Sequence, residues 1–243
     1  MSHQDEIDRL QQRLIGEGII RSGIEAIAKR LYKPKGWTKA DISTPYPDGM
    51  PPKPFLYSME ESTYSAVKRQ QIGSYKLIKQ TPTLLFYYSK INNTMVVAIR
   101  GTFDKSDIYA DIKLAMGNLA GSTRYRADEK ILRSVLADPD YKNTPFYGVG
   151  HSLGGAILDL FLAKGLLKAG VSYNPAVEKS QLNSNKNYRI YMANDPLYNT
   201  MGKYSKIGEV RKQKDVSESD VVGAVQSVKS HLLTNFVGGI KLM

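Results

Sequence analysis

Residues Gly150-His151-Ser152-Leu153-Gly154-Gly155 constrain this chain more than any other stretch. An apolar run, Phe146 to Val149, precedes them. A second run, Ala156 to Leu167, follows with Asp159 and Lys164 as its only charges. The pattern predicts a short buried strand, a sharp turn with Ser152 at its tip, and a core helix packed under a sheet. Side chains beside so tight a turn would clash, so glycine is needed on both sides. The Ser152 hydroxyl then stands clear of the backbone and the Leu153 amide faces a reacting carbonyl, a geometry suited to acyl cleavage or transfer. A phosphate-binding glycine loop competes with this reading and fails on spacing. Gly148-Val149-Gly150 begins a dinucleotide fingerprint, but its third glycine falls on Leu153, and no Lys-Ser or Lys-Thr follows as a P-loop requires.

A serine hydroxyl needs a base to take its proton, and histidine is the usual one near neutral pH. The chain has three histidines. His3 lies in a polar terminus, and His151 sits in the turn itself with its side chain directed away from the Ser152 hydroxyl. Elimination leaves His231. The base in turn needs a carboxylate, expected between serine and histidine in the chain. Asp195 directly follows the strand-like run Arg189 to Ala193, and catalytic groups gather beyond the carboxyl ends of such strands. Pro196 then turns the chain. Asp195 is the first choice and Asp220 the second; Asp159 falls inside the helix after the turn and points elsewhere. Met95 to Ile99 is another buried run ending in Arg100-Gly101-Thr102, which offers the Thr102 amide as a second oxyanion donor beside Leu153.

Around this centre the chain alternates between β-rich and helical runs. Thr83 to Ser89 and Thr94 to Arg100 read as a hairpin, and Ser122 to Ala137 as a helix closed by Asp138-Pro139. Val171 to Asn174, Arg189 to Ala193 and Tyr204 to Arg211 read as further strands. The alternation predicts an α/β fold with a mostly parallel central sheet flanked by helices. Ser58 to Gln70 reads as a helix with Ser58 and Glu61 forming a capping box. Residues 33–54 hold six of the eleven prolines and read as an extended loop. Residues 3–32 have helical apolar spacing, either packed outside the domain or lying on a membrane surface. Val221 to Phe236 is ambiguous, with helix expected at its end. The division expected is an N-terminal helical and Pro-rich extension, 1–70, packed on a catalytic domain, 71–243.

Composition narrows the function classes. Hydrophobic content of 42% over 243 residues suffices for a buried core. Cysteine is absent, which excludes disulfides, cysteine metal sites and a cysteine nucleophile. No metal or organic cofactor is expected. No apolar run reaches the roughly 20 residues that span a bilayer. The charged start of the chain does not read as a secretory signal, so a cytoplasmic or virion-associated protein is expected. The net charge of +11 suits an anionic membrane surface or a well-solvated exterior. Nucleic acid fits poorly, because no basic stripe is interleaved with aromatics. Oligomeric state is not encoded in any feature of the chain.

Together these segments resemble the class 3 lipases, the α/β-hydrolases similar to fungal triacylglycerol lipases. Ala98-Ile99-Arg100-Gly101-Thr102 looks like the family's oxyanion strand, and Asp107 and Asp111 like the acidic pair after it. Gly150 to Gly155 matches its G-H-S-L-G-G, and Asn194-Asp195-Pro196 its acid-bearing segment. Tyr204 to Val210 is similar to the strand that follows, and His231 falls where the family carries its base. The compact spacing and the His-Leu-Leu-Thr-Asn-Phe ending also resemble lipase-like proteins of large DNA viruses. Val171-Ser172-Tyr173-Asn174-Pro175 departs from the family's F-G-x-P, keeping only the proline. The resemblance implies a compact α/β-hydrolase that cleaves lipid carboxyl esters with Ser152, His231 and Asp195, the oxyanion held by Thr102 and Leu153. It also implies a mobile lid over residues 112–121; a fixed buried loop is the alternative there.

Overall fold

The computed structural model describes residues 44–101, 118–193 and 195–211. Helix α1 (Lys53–Tyr64) starts where Pro52 holds extended backbone and a proline occupies the first turn, with φ already suited to helix. This corrects the expected start at Ser58. Ser58 lies inside α1 and is buried, so no capping box forms there. The helix also stops at Tyr64 instead of running to Gln70.

Strands β1 (Gln71–Ile72) and β2 (Tyr75–Gln80) come next and were not foreseen. From Lys76 onward β2 is largely exposed, so it carries no apolar alternation to read. β3 (Leu84–Ser89) and β4 (Thr94–Ile99) form the expected antiparallel hairpin, register Leu84 with Ile99, and Asn93 takes the positive φ of 45° in its turn. Helix α2 (Thr123–Leu136) is capped by Ser122, whose side chain accepts from the Tyr125 amide. β5 (Phe146–His151), α3 (Leu153–Ala163), β6 (Ala169–Tyr173) and β7 (Asn187–Met192) follow the predicted order. A short helix α4 (Pro196–Thr200) and strand β8 (Glu209–Arg211) end the described chain. The strand expected over 204–211 is thus confined to its last residues. Gly202 to Tyr204 instead make a tight turn, closed by the Ser205 hydroxyl donating to the Gly202 carbonyl at 2.7 Å.

The eight strands lie side by side in chain order. β1 to β4 pair antiparallel, and β4 to β8 pair parallel. Both faces of the parallel half are covered, which explains why β4, β5 and β7 are buried along their whole length. On one face α1 packs Leu56 and Met59 against Val96, Ala98, Val149, Val171 and Ile190. On the other, α2 and α3 pack Tyr125, Leu132, Ile157, Leu158 and Phe161 against Phe86, Val97 and Ile99. The fold is therefore a three-layer α/β sheet, with its parallel half presenting the carboxyl ends of β4 to β8 along one edge.

Candidate active site

Ser152 sits between β5 and α3 with φ 54° and ψ −121°. That is the strained turn expected of a nucleophile on a strand-to-helix elbow, at a cost of about 1–3 kcal/mol for a residue other than glycine. The strain is held from several sides. The Ser152 amide donates to the Tyr173 carbonyl at 3.1 Å, and the Ser152 carbonyl accepts from the amides of Gly155 at 3.0 Å and Ala176 at 3.2 Å. The glycines are required by contact. A Cβ on Gly150 would fall 2.6 Å from the Gly154 carbonyl oxygen, and one on Gly154 would collide with the Ile99 carbonyl. Leu153 is the first residue of α3, so its amide has no acceptor within the helix.

The neighbouring strand ends close to this turn. A Cβ on Gly101 would lie 2.5 Å from the His151 carbonyl oxygen and 3.3 Å from the Ser152 Cβ. The end of β4 therefore runs directly beside the elbow. Thr102, the next residue, lies outside the described residues.

Asp195 follows β7, two strands along the same edge from β5, with β6 between them. It is buried, and its Oδ1 accepts from the amides of Leu197 at 2.7 Å and Tyr198 at 3.3 Å. The carboxylate thus caps α4, and Pro196 gives that helix its first turn. Ser152 and Asp195 are brought to one edge of the sheet by the fold. His231, the second-choice acid Asp220, the pair Asp107 and Asp111, and residues 112–117 lie outside the described residues. Of the segment read as a lid, residues 119–121 form a 3-10 turn, and Leu119 is fully buried in the core. That end is an anchor.

His151 meets helix α1. Its Nδ1 lies 3.0 Å from the Tyr64 hydroxyl. Glu60, one turn earlier on α1, is fully buried, and neither carboxyl oxygen has a hydrogen-bond partner among the described residues. Burial pushes the Glu60 carboxyl well above the usual carboxylate range; backbone at His151 and Ile99 and the Arg124 charge draw it back only in part. Sequence reading missed both Glu60 and Tyr64. The available signal was an acid and a tyrosine four residues apart on the face that also carries Leu56 and Met59.

Asp159 on α3, set aside as catalytic acid, is engaged elsewhere. It forms a buried ion pair with Arg189 of β7 at 3.0 Å and accepts from Asn187 at 2.8 Å. Among the described residues no cluster of acidic and histidine side chains could hold a metal ion, and no helix is long and apolar enough to cross a membrane.

A serine on a strand-to-helix elbow, with an acid at the end of a later parallel strand, is the α/β-hydrolase arrangement. No protein-family model matches the chain, and no curated protein matches it. Solved structures with a similar course of chain include lipases. Nonglycosylated LIP2 lipase of Yarrowia lipolytica aligns over 73% of this chain and 90% of its own, at 15% identity and TM-score 0.48. A triacylglycerol lipase described as having a serine protease triad as its catalytic centre aligns over 75% and 90%, at 14% identity and TM-score 0.45. A triacylglycerol lipase of Penicillium expansum aligns over 66% and 79%, at 16% identity and TM-score 0.41.

Proposed function

We propose that this protein is a serine hydrolase that cleaves carboxyl esters of lipids through an acyl-enzyme. The observation that carries the reading is the Ser152 backbone, held at positive φ between a fully buried parallel strand and a core helix. Strain of this kind persists only where the surroundings enforce it, and here three backbone hydrogen bonds and two obligatory glycines do so.

In the proposed reaction the Ser152 hydroxyl oxygen attacks the ester carbonyl while His231 accepts its proton. The carbonyl oxygen takes the negative charge and is held by the amides of Leu153 and Thr102. The carbon–oxygen bond to the alcohol then breaks, and the alcohol leaves with the proton from His231. Water attacks the acyl-enzyme by the same route, releasing the acid and restoring Ser152. Asp195 orients His231 and stabilises its imidazolium form, a task suited to a buried carboxylate whose position is fixed by two backbone amides. Lipid as substrate rests on the resemblance to class 3 lipases and on the +11 charge, which favours approach to anionic surfaces.

The test compares wild type with Ser152→Ala on p-nitrophenyl esters of increasing chain length and on phospholipid vesicles. Ser152→Ala is expected to lose at least about a thousandfold in kcat. Absence of any Ser152-dependent turnover would end the hydrolase reading. Turnover restricted to short soluble esters would move the substrate away from lipid.

A further inference from the structure

We propose that Tyr64 is a positioning residue, one whose hydroxyl locks the nucleophile elbow to the end of β4. The inference rests on the hydrolase reading of Ser152 and deepens it.

The parallel ladder between β4 and β5 is last registered at Ile99 with Gly150. Beyond that pair the two chains need another tie, and α1 supplies it. The Gly101 amide donates to the Tyr64 hydroxyl oxygen at 2.8 Å. The same hydroxyl meets His151 Nδ1 at 3.0 Å, with the two rings edge to face at 76°. Gly101 immediately precedes Thr102, and His151 immediately precedes Ser152. One oxygen atom therefore joins the two segments that bear the proposed oxyanion donor and the proposed nucleophile.

The Tyr64 oxygen accepts from the Gly101 amide and shares a second hydrogen bond with His151 Nδ1, whose direction follows the imidazole tautomer. Burial, reinforced by the nearby Glu60 carboxyl, raises the Tyr64 phenol above the ordinary tyrosine value. Space around the tie is already minimal. A Cβ on Gly101 would lie 2.5 Å from the Tyr64 oxygen, so only glycine fits at this position beside the hydroxyl.

Tyr64→Phe removes only the hydroxyl. The Gly101 amide and His151 Nδ1 then lose their partner, and the two segments are free to drift by fractions of an ångström. Misplacement on that scale is expected to lower kcat by about ten- to a hundredfold, with KM within about twofold. Tyr87→Phe is the matched control. The Tyr87 hydroxyl also bridges α1 and the chain after it, donating to the Arg69 carbonyl at 2.9 Å and lying 3.0 Å from the Ser62 hydroxyl, with neither partner in the elbow. Tyr87→Phe should lower the thermal midpoint and leave kcat unchanged. His151→Phe keeps the ring and removes Nδ1; it should lower kcat with KM retained, and it decides the question if Tyr64→Phe does not fold.

Kinetics on a soluble p-nitrophenyl ester, with thermal midpoints for all three variants, separate the outcomes. Loss of kcat in Tyr64→Phe at a midpoint no lower than that of Tyr87→Phe supports the role. Unchanged kcat in Tyr64→Phe, or in His151→Phe where Tyr64→Phe is unfolded, overturns it while wild-type turnover still stands. A wild type without Ser152-dependent turnover overturns the hydrolase reading and this inference together.

Discussion

Asp159 and Glu60 are both buried carboxyl groups, carried by helices on opposite faces of one sheet. Asp159 looks from α3 onto Arg189, whose Nη2 lies 3.0 Å from each carboxylate oxygen, and the Asn187 amide adds a third hydrogen bond. Glu60 looks from α1 onto strand ends that offer neither oxygen a hydrogen bond within the described residues. Burial raises both groups above their ordinary values. For Asp159 a contacting Arg189 charge and the Asn187 amide oppose that rise; for Glu60 backbone at His151 and Ile99 and the Arg124 charge oppose it, and it still lies well above the ordinary value. The contrast shows how one sheet tolerates two acids. One acid is held by a contacting cation and an amide; the other has burial as its dominant influence and no hydrogen-bond partner for either oxygen among the described residues.

The paired side is where substitution costs most. Arg189 also donates to the carbonyls of Gln181 at 2.8 Å and Lys206 at 3.0 Å, so it ties β7 to the loops on either side of Asp195. Arg189→Met strands the Asp159 charge in the core. The expected loss is about 3–5 kcal/mol, read as a lower urea midpoint. A loss below about 1 kcal/mol would mean that Asp159 simply takes up a proton, and the two acids would then be alike.

The unpaired side predicts a gain and a pH dependence. The folded pKa of Glu60 lies above its unfolded value. Between the two, the folded state binds more protons than the unfolded state, so stability falls as pH rises. The contribution is complete below the unfolded value, near 4.5, and is lost as pH climbs through the folded one. Glu60→Gln carries no such proton. It should match wild type near pH 4 and exceed it at neutral pH, by about 1.4 kcal/mol for each pH unit that wild type has climbed between its unfolded and folded values. Urea midpoints at pH 4, 7 and 9 check this. Parallel curves for the two proteins would show that Glu60 is not held neutral.

The same contrast separates what sequence patterning makes legible from what it hides. Gly150 to Gly155 announces its turn because glycine is required by backbone contact, which is local. Asp195 is legible as a strand-end acid because Pro196 and the run before it bound the strand. The Asp159–Arg189 pair was half legible. A lone acid in an apolar helix and an arginine inside a doubly covered strand each ask for a partner, but their pairing at thirty residues' separation is decided by the sheet order. Glu60 and Tyr64 were not legible. Their role depends on how α1 lies across β4 and β5, and its start is set by Pro52, not by the Ser58 and Glu61 spacing that mimics a cap. β1 and β2 were missed for another reason. A largely exposed edge strand has no apolar rhythm to reveal it.

The smallest expected effect lies one step behind the paired acid. Asn187 reaches Asp159 with its amide nitrogen, and the Ser172 hydroxyl donates to the Asn187 carbonyl oxygen at 3.1 Å. Ser172 thus fixes which end of the Asn187 amide faces the carboxylate. Both side chains are fully buried, so the carbonyl oxygen cannot turn to water when the hydroxyl is removed. Ser172→Ala is expected to cost about 1 kcal/mol, the net worth of a neutral buried hydrogen bond, because the Arg189 contact to Asp159 survives intact. Chemical denaturation at pH 7 resolves a change of that size. A loss approaching that of Arg189→Met would make the ion pair dependent on the orientation of Asn187, and the retained charge would belong to a four-residue chain from β6 through β7 to α3. No loss at all would confine it to Arg189 and Asn187 alone.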